Sequence, residues 1–139
     1  MKDNVTALRD GYLAKSSAIS VGVYDQHLPS NLSVKKYVLI TTQTSDGART
    51  KERFKPNCTV LLDVIVRTTN ATGKCECDVI AKECLEVYNP KSRTGYVSAG
   101  NDFEVLSTKI IQNESLHSLS GSENVYRRLI RFEHIVIEK

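Results

Sequence analysis

Residues 58–67 constrain the fold more strongly than any other part of the sequence. In an extended strand, alternate side chains share a face, and here one face is apolar along its whole length. That face carries Cys58, Val60, Leu62, Val64 and Val66. Leu61 and Ile65 place apolar groups on the opposite face, which predicts some cover there as well. This is the strongest strand in the chain, and the other elements are interpreted around it.

Two stretches have helical periodicity. Residues 4–16 predict an amphipathic helix with Asn4 as its N-cap, although Gly11 weakens it, since an interior glycine costs about 1 kcal/mol relative to alanine. Residues 74–88 predict a second helix, which Pro90 ends. The apolar stripe of this second helix consists of Cys77, Ile80, Ala81, Cys84, Leu85 and Tyr88.

The remaining apolar stretches predict strands. They cover residues 19–25, 37–44, 103–113 and 124–138, and residues 114–122 form a polar connector between the last two. Alternation along the last strand places Tyr126, Ile130, Phe132 and Val136 on one face and Arg127, Arg131 and Glu133 on the other. The order α-β-β-β-α-β-β predicts a single α+β domain over residues 1–139. We expect a mostly antiparallel sheet of about five strands with two helices packed on one face.

Length and composition fit a soluble protein of one domain. The chain has 139 residues, and its 40% hydrophobic and 25% charged residues are ordinary for a folded domain. A net charge of +3 is too small to indicate nucleic-acid binding by itself. Residues 1–5 contain no apolar signal segment, and no window is long and apolar enough to span a membrane. We therefore expect synthesis in the cytoplasm, reduced cysteines and no membrane partner.

The cysteines and histidines do not form a metal-binding pattern. Structural zinc sites use C-x₂₋₄-C pairs with a second pair elsewhere, whereas Cys75 and Cys77 form C-x-C with no second pair. Cys77 and Cys84 lie on the apolar helical stripe, which favours core packing over metal binding. The histidines, His27, His117 and His134, lack H-x-x-x-H spacing. The sequence predicts no metal and no thiol nucleophile.

Other catalytic signatures are also missing from the sequence. The serine-rich stretch 118–122 lacks the G-x-S-x-G elbow, no glycine-rich phosphate loop occurs, and the carboxylates are scattered. Taken together, these observations predict a protein that is not an enzyme and has no cofactor.

The most unusual segment is a basic arm at residues 45–57. Arg49, Lys51, Arg53 and Lys55 recur at every second position, so an extended hairpin would display them on one face. Asp46 and Gly47 form a favourable tight-turn pair. Three interpretations remain open: contact with a neighbouring subunit, contact with DNA phosphates, or a solvated hairpin whose charges prevent aggregation.

A second basic cluster lies on the last strand. Arg127 and Arg131 share a strand face, and Arg128 lies on the other. They either pair with acidic residues across an exposed sheet face or form a belt of salt bridges between subunits. Both interpretations remain open at the level of sequence.

Several local stretches, spread over nearly the whole chain, resemble the small tail-completion (tail-terminator) proteins of tailed phages and prophages, especially those of Bacteroidetes-type phages. These stretches are Ala7-Leu8-Arg9-Asp10-Gly11-Tyr12-Leu13, Val21-Gly22-Val23-Tyr24-Asp25, Tyr37-Val38-Leu39-Ile40 with Gln43-Thr44, Leu61-Leu62-Asp63-Val64-Ile65-Val66, and Val125-Tyr126-Arg127-Arg128-Leu129-Ile130-Arg131-Phe132.

The resemblance implies a structural virion protein at the head–tail junction, made in the cytoplasm of a bacterial host. Such subunits close into a ring, a hexamer or in related neck rings a dodecamer, that joins the tail to the connector and lets DNA pass. The implied partners are further copies of the chain, portal-side or connector-side ring proteins, and tail tube or tail hub proteins.

A cyclic ring needs different patches on the two sides of each subunit. Arg49, Lys51, Arg53, Lys55, Arg127 and Arg131 are our candidates for the subunit interface or the DNA-facing lumen. The alternative function is a small DNA-binding or regulatory module that uses the basic stripe 49–55.

Overall fold

A computed structural model describes residues 3–29, 34–46, 56–69 and 72–139. Within these ranges the chain forms two α-helices and five strands in the predicted order α-β-β-β-α-β-β. The helices are α1 (Asn4–Lys15) and α2 (Gly73–Tyr88), and the strands are β1 (Gly22–Asp25), β2 (Lys36–Asp46), β3 (Asn57–Thr68), β4 (Phe103–Ser120) and β5 (Glu123–Glu138). No helix in this part of the chain is long and apolar enough to cross a membrane.

The five strands form one sheet in the order β1-β2-β3-β5-β4. β1 pairs with β2 in parallel, and all other neighbours are antiparallel. The most apolar strand, β3, is therefore the central one, and β1 and β4 are the two edges. This architecture confirms the predicted α+β class with a mostly antiparallel sheet.

Both helices pack on the same side of the sheet, which we call the helix face. α2 lies against β3 and β5, and α1 lies against β2. The apolar face of β3 forms the floor of this core, and its five predicted side chains are at most 1% exposed. The predicted stripe of α2 covers that floor, since Cys77, Ile80, Ala81, Cys84 and Tyr88 are all buried.

The opposite side of the sheet is the open face, over which no helix of the described residues packs. Ile65 is nevertheless only 8% exposed, and Leu61 is half-buried. The cover predicted for these residues comes from neighbouring strands, because Ile65 lies between Tyr37 and Arg127 in the sheet register.

The start of α1 differs from the prediction. The N-cap is Asp3, not Asn4: the Asp3 carboxylate accepts hydrogen bonds from the backbone N–H groups of Val5 and Thr6 at 3.1 and 3.2 Å. Asn4 is instead the first helical residue and is buried. Aspartate and asparagine are almost equally good caps, so the local sequence alone does not separate these adjacent positions.

The predicted polar connector 114–122 is also wrong. β4 continues through this stretch to Ser120 and pairs with β5 residue by residue, so that Leu116 lies opposite Arg127 and Leu119 opposite Asn124. The turn occupies only the next two residues, and Gly121 adopts a positive φ of 64° there. A strand exposed on both faces has no apolar alternation, so its sequence is polar although its backbone is fully extended.

Candidate assembly surfaces

The predicted basic arm lies mostly outside the described residues. Arg49, Lys51, Arg53 and Lys55 are all in the undescribed range 47–55. The structure does describe the strand ends on either side, where Asp46 pairs with Asn57 at the end of the β2–β3 ladder. The role of the four basic residues therefore stays a prediction.

The second basic cluster divides between the two faces of the sheet as predicted. Arg127 and Arg131 lie on the open face, in register with Ile65 and Leu61 of β3. Arg128 lies on the helix face, where its guanidinium donates to Asp78 at 2.8 Å and to Asn113 at 2.6 Å.

Arg127 is engaged within its own chain. Its guanidinium donates two hydrogen bonds to the Asp63 carboxylate, at 3.2 and 2.5 Å, and these bonds raise the pKa of the arginine. Asp63 is only 4% exposed, so the arginine compensates a buried charge. For Arg127, acidic pairing between neighbouring strands is the arrangement that is observed.

Arg131 has a weaker internal contact. Its guanidinium donates to the Thr59 hydroxyl at 3.3 Å, and the nearby Glu133 carboxylate pairs instead with Lys109 at 3.2 Å. Of Arg127 and Arg131, Arg131 is thus the more available to a partner.

A buried histidine connects the N-terminal helix to the last two strands. The Nε2 atom of His134 lies 2.5 Å from the Tyr12 hydroxyl, and its Nδ1 atom lies 2.8 Å from the Thr108 hydroxyl. Burial lowers the pKa of His134 to about 4 and raises the pKa of Tyr12 well above its usual range. Both side chains are 0% exposed, so this network supports the fold and is closed to substrate.

Sequence reasoning missed this network, although its signal was present. His134 occupies the same alternate positions of β5 as Ile130, Phe132 and Val136, and these positions face the core. A histidine in such a series indicates a buried side chain with hydrogen-bonding partners.

The cysteines are arranged largely as the helical stripe predicts. Cys58, Cys77 and Cys84 are buried in the core, Cys75 is exposed, and all four are free thiols. Burial raises the pKa of Cys77 to about 11 and that of Cys84 to about 12, which keeps both protonated and unreactive near neutral pH. In the described ranges, no three His, Cys, Asp or Glu side chains are grouped to hold a metal ion.

The free end of the β4–β5 hairpin carries uncovered apolar groups. We define the hairpin end as residues 113–123. Leu119, on the helix face, is 73% exposed, and Leu116, on the open face, is 37% exposed. On the helix face, the ring of His117 stacks on Tyr126 at 4.7 Å and its Nε2 atom lies 2.9 Å from the Asn124 side-chain oxygen. These contacts hold the hairpin end against β5 while leaving Leu119 free.

A second uncovered apolar region lies at the other edge of the sheet. Between the start of β1 and the first turns of α2 runs a groove of about 440 Å³, which we call the β1–α2 groove. Val79 on its wall is 59% exposed. The lining residues are Ser20, Val21, Lys36, Cys75, Glu76, Val79 and Ile80.

Comparison with known proteins gives a match in structure but none in sequence. No known protein-family profile matches the chain, and no curated protein matches it by sequence. Among solved structures, it is similar to a chain from the virion of a native gene transfer agent (GTA) particle, with a TM-score of 0.61 and 13% sequence identity. The similarity covers 98% of this chain and 92% of that chain, so the two share the whole fold.

Proposed function

We propose that this protein is a structural component of a phage or phage-like virion, with no catalytic role, and that it forms a ring at the head–tail junction. One observation carries the proposal: the fold matches, over 98% of its length, that of a chain in a gene transfer agent virion particle. The local resemblance to tail-completion proteins points to the same class and adds the ring at the junction.

The described surface is consistent with assembly. Its exposed apolar groups are concentrated in few places, and in the described part of the chain neither edge strand pairs with a further strand. Uncovered apolar patches and free sheet edges are features that proteins usually cover with a partner. A ring of further copies, bounded by connector-side and tail-side proteins, would supply that cover.

The ring is tested by light scattering and negative-stain electron microscopy of the purified wild-type protein over a wide range of concentrations. We expect concentration-dependent closed rings with an open lumen wide enough for duplex DNA. A strict monomer at every concentration, both alone and mixed with the connector and tail tube of its own virion, would contradict the proposal.

The alternating cations of the basic arm favour a second candidate, the DNA-binding or regulatory module. Its test is a variant in which Arg49, Lys51, Arg53 and Lys55 are all changed to glutamine. If DNA binding is the function, the wild type binds duplex DNA at moderate salt with a steep salt dependence, and the variant does not bind. Absence of binding by the wild type at moderate salt would eliminate this candidate.

A further inference from the structure

We propose that, in the assembled ring, the hairpin end of one copy docks into the β1–α2 groove of the next copy, with Leu119 seated against Val79. This inference rests on the proposed function, because it assigns the contact between adjacent subunits of that ring. It commits to a second copy of this chain as the occupant of the groove.

The hairpin end lacks the usual protection of an edge strand. Natural edge strands avoid pairing through charged side chains, proline or bulges. Residues 110–122 contain no lysine, arginine or proline, and their only titratable side chains are Glu114 and His117. The two bulges of β4 lie earlier, between Val105 and Ser107 and between Ile110 and Gln112. The last nine residues of the strand therefore form a regular edge, free to receive another strand.

The groove accepts an apolar side chain without burying an unpaired charge. Its exposed wall is Val79, and Val21 and Ile80 contribute further apolar surface. The two charged groups on its rim, Lys36 and Glu76, pair with each other at 3.3 Å. Seating a leucine here would remove two exposed apolar groups from water at once.

The sheet register places the two surfaces at the same level. Gly22 pairs with Tyr37, which pairs with Ile65, and this row continues through Arg127 to Leu116 of β4. In the groove, Val21 and Ser20 precede Gly22, so they lie one and two residues beyond this row. Leu119 lies three residues beyond it in the same direction, because β4 runs antiparallel to β1. The groove and the leucine thus share one end of the sheet.

They also share one face. The first turns of α2 form one wall of the groove, so the groove lies on the helix face. Leu119 lies opposite Asn124, which is on the same face as Tyr126 and Ile130. The hairpin end and the groove therefore lie at the same end and on the same face of the sheet, but at opposite edges. This arrangement suits a head-to-tail interface, because each copy presents one surface to one neighbour and the other surface to the other neighbour.

A single chain cannot bring its own two surfaces together. Three strands separate β1 from β4, and four strand spacings of about 4.8 Å put the edges roughly 19 Å apart. When a second copy stands beside the first in the same orientation, its β1 runs antiparallel to the first copy's β4, level with residues 113–116. The sheets then continue across the contact, and Leu119 reaches the neighbour's groove.

Two single variants and their mixture test the contact. Leu119→Glu removes the docking side chain, and Val79→Glu blocks the groove; both positions are mostly exposed, so we expect both variants to fold, with thermal unfolding close to that of the wild type. We expect each variant to need at least a tenfold higher concentration for half-maximal assembly. Ile111→Glu is the matched control: this residue is 45% exposed on the same strand but lies outside the hairpin end, and the variant should assemble like the wild type.

The equimolar mixture of the two variants gives the sharpest outcome. The Val79→Glu chain keeps its leucine and the Leu119→Glu chain keeps its groove, so one intact contact forms between them and no more can follow. Light scattering should show a heterodimer of twice the 15.5 kDa chain mass, and no ring. A mixture that stays monomeric or closes into rings would overturn the proposal.

Cross-linking provides an independent measurement. Cys75 is an exposed thiol in the groove, so a Leu119→Cys variant, whose new thiol lies on the same face as the groove, should form intermolecular disulfides with it on mild oxidation. The ladder on a non-reducing gel should disappear when Cys75→Ser is added, and Ser92→Cys, at the far end of α2, should give none. A ladder that persists without Cys75 would count against the docking.

The two proposals fail in different ways. If the wild type forms rings and both glutamate variants still form them equally well, the docking is wrong and the proposed function stands. If the wild type forms no oligomer alone or with its virion partners, both proposals fail.

Discussion

At the scale of single residues, the two most deeply buried polar side chains of the described ranges, His134 and Asp63, are both paired. His134 uses both ring nitrogens, one with the Tyr12 hydroxyl of α1 and one with the Thr108 hydroxyl of β4. Asp63 is buried on the open face and receives two hydrogen bonds from Arg127. Removing one partner of such a pair leaves a desolvated polar group, which is more costly than the bond itself is stabilising. This asymmetry leads to two predictions.

The first prediction concerns pH. The unfolded chain takes up a proton at His134 near the ordinary pKa of 6.5, whereas the folded chain does so only near 4. Because the unfolded state binds the proton first, the free energy of unfolding falls as the pH drops from about 6.5 to about 4. Between pH 7 and pH 5 the loss should be about 2 kcal/mol, measured by urea unfolding.

A glutamine variant is the control for this pH dependence. His134→Gln should be less stable at pH 7 but should lose the part of the slope that this imidazole contributes, while the exposed His27 and His117 remain in both proteins. An equal decrease in wild type and variant between pH 7 and pH 5 would contradict the assignment.

The second prediction concerns the Asp63–Arg127 pair. Arg127→Gln leaves a carboxylate that is 4% exposed without its counter-charge, and we expect a loss of about 3 kcal/mol in the free energy of unfolding. Asp63→Asn leaves a guanidinium that is 41% exposed and solvated, so the loss should be nearer 1 kcal/mol. Arg131→Gln, which removes only a bond to Thr59, is the control and should change stability by about 0.5 kcal/mol or less. Equal costs for the two partners would refute the asymmetry.

At the scale of elements, close packing can require a residue type that helix propensity disfavours. Gly11 lies in α1, where the segment around Ser98 crosses the helix in direct contact. A Cβ atom at this position would lie 1.9 Å from the Ser98 carbonyl oxygen and 2.7 Å from the Val97 Cγ1 atom. The glycine is therefore required for the approach of backbone to backbone.

This gives the third prediction. In an exposed helix, Gly→Ala stabilises by about 1 kcal/mol, but Gly11→Ala should destabilise the protein by about 2 kcal/mol, because the helix must move away from residues 97–98. Urea unfolding measures the difference. Asp10→Ala, at the exposed neighbouring position, is the control and should stay within about 0.5 kcal/mol of the wild type. A stabilised Gly11→Ala would show that the crossing segment can adjust.

At the scale of the whole molecule, the two faces of the sheet differ from each other, and so do its two edges. One face is covered by helices and the other is open, and one edge is four residues long while the other is eighteen. A contact between these two unlike edges is therefore heterologous, and such a contact repeats head to tail and can close into a ring. The apolar hairpin end and the apolar groove lie on those two different sides.

The fourth prediction follows from the apolar character of the proposed contact. At about 1 M salt the Debye length falls to roughly 3 Å, which weakens exposed ion pairs but leaves apolar burial intact. Rings of the wild type should therefore persist between 0.1 and 1 M sodium chloride, as followed by light scattering. Dissociation at high salt would indicate a charged interface, with the basic arm 49–55 as the first segment to mutate.

The sequence alone determined the order of the elements and which residues of β3 and β5 face the core. These properties are local, because a strand repeats every two residues and a helix every 3.6. The alternation in residues 58–67 identified the central strand, and the stripe from Cys77 to Tyr88 identified the buried side of α2. The opposite facing of Arg127 and Arg128 followed from the same rule.

The tertiary structure alone decided what depends on partners distant in sequence. The polar residues 114–120 form a strand because β5 supplies their hydrogen bonds, and no pattern within them indicates this. His134 is neutral because burial in the assembled core lowers its pKa, and its hydrogen-bond partner there is Tyr12, 122 residues away. Leu119 lies level with the β1–α2 groove because of the combined registers of four strand pairs, and each register is set by packing across the sheet. Local periodicity determines which side a residue faces, whereas only the assembled sheet determines what lies beside it.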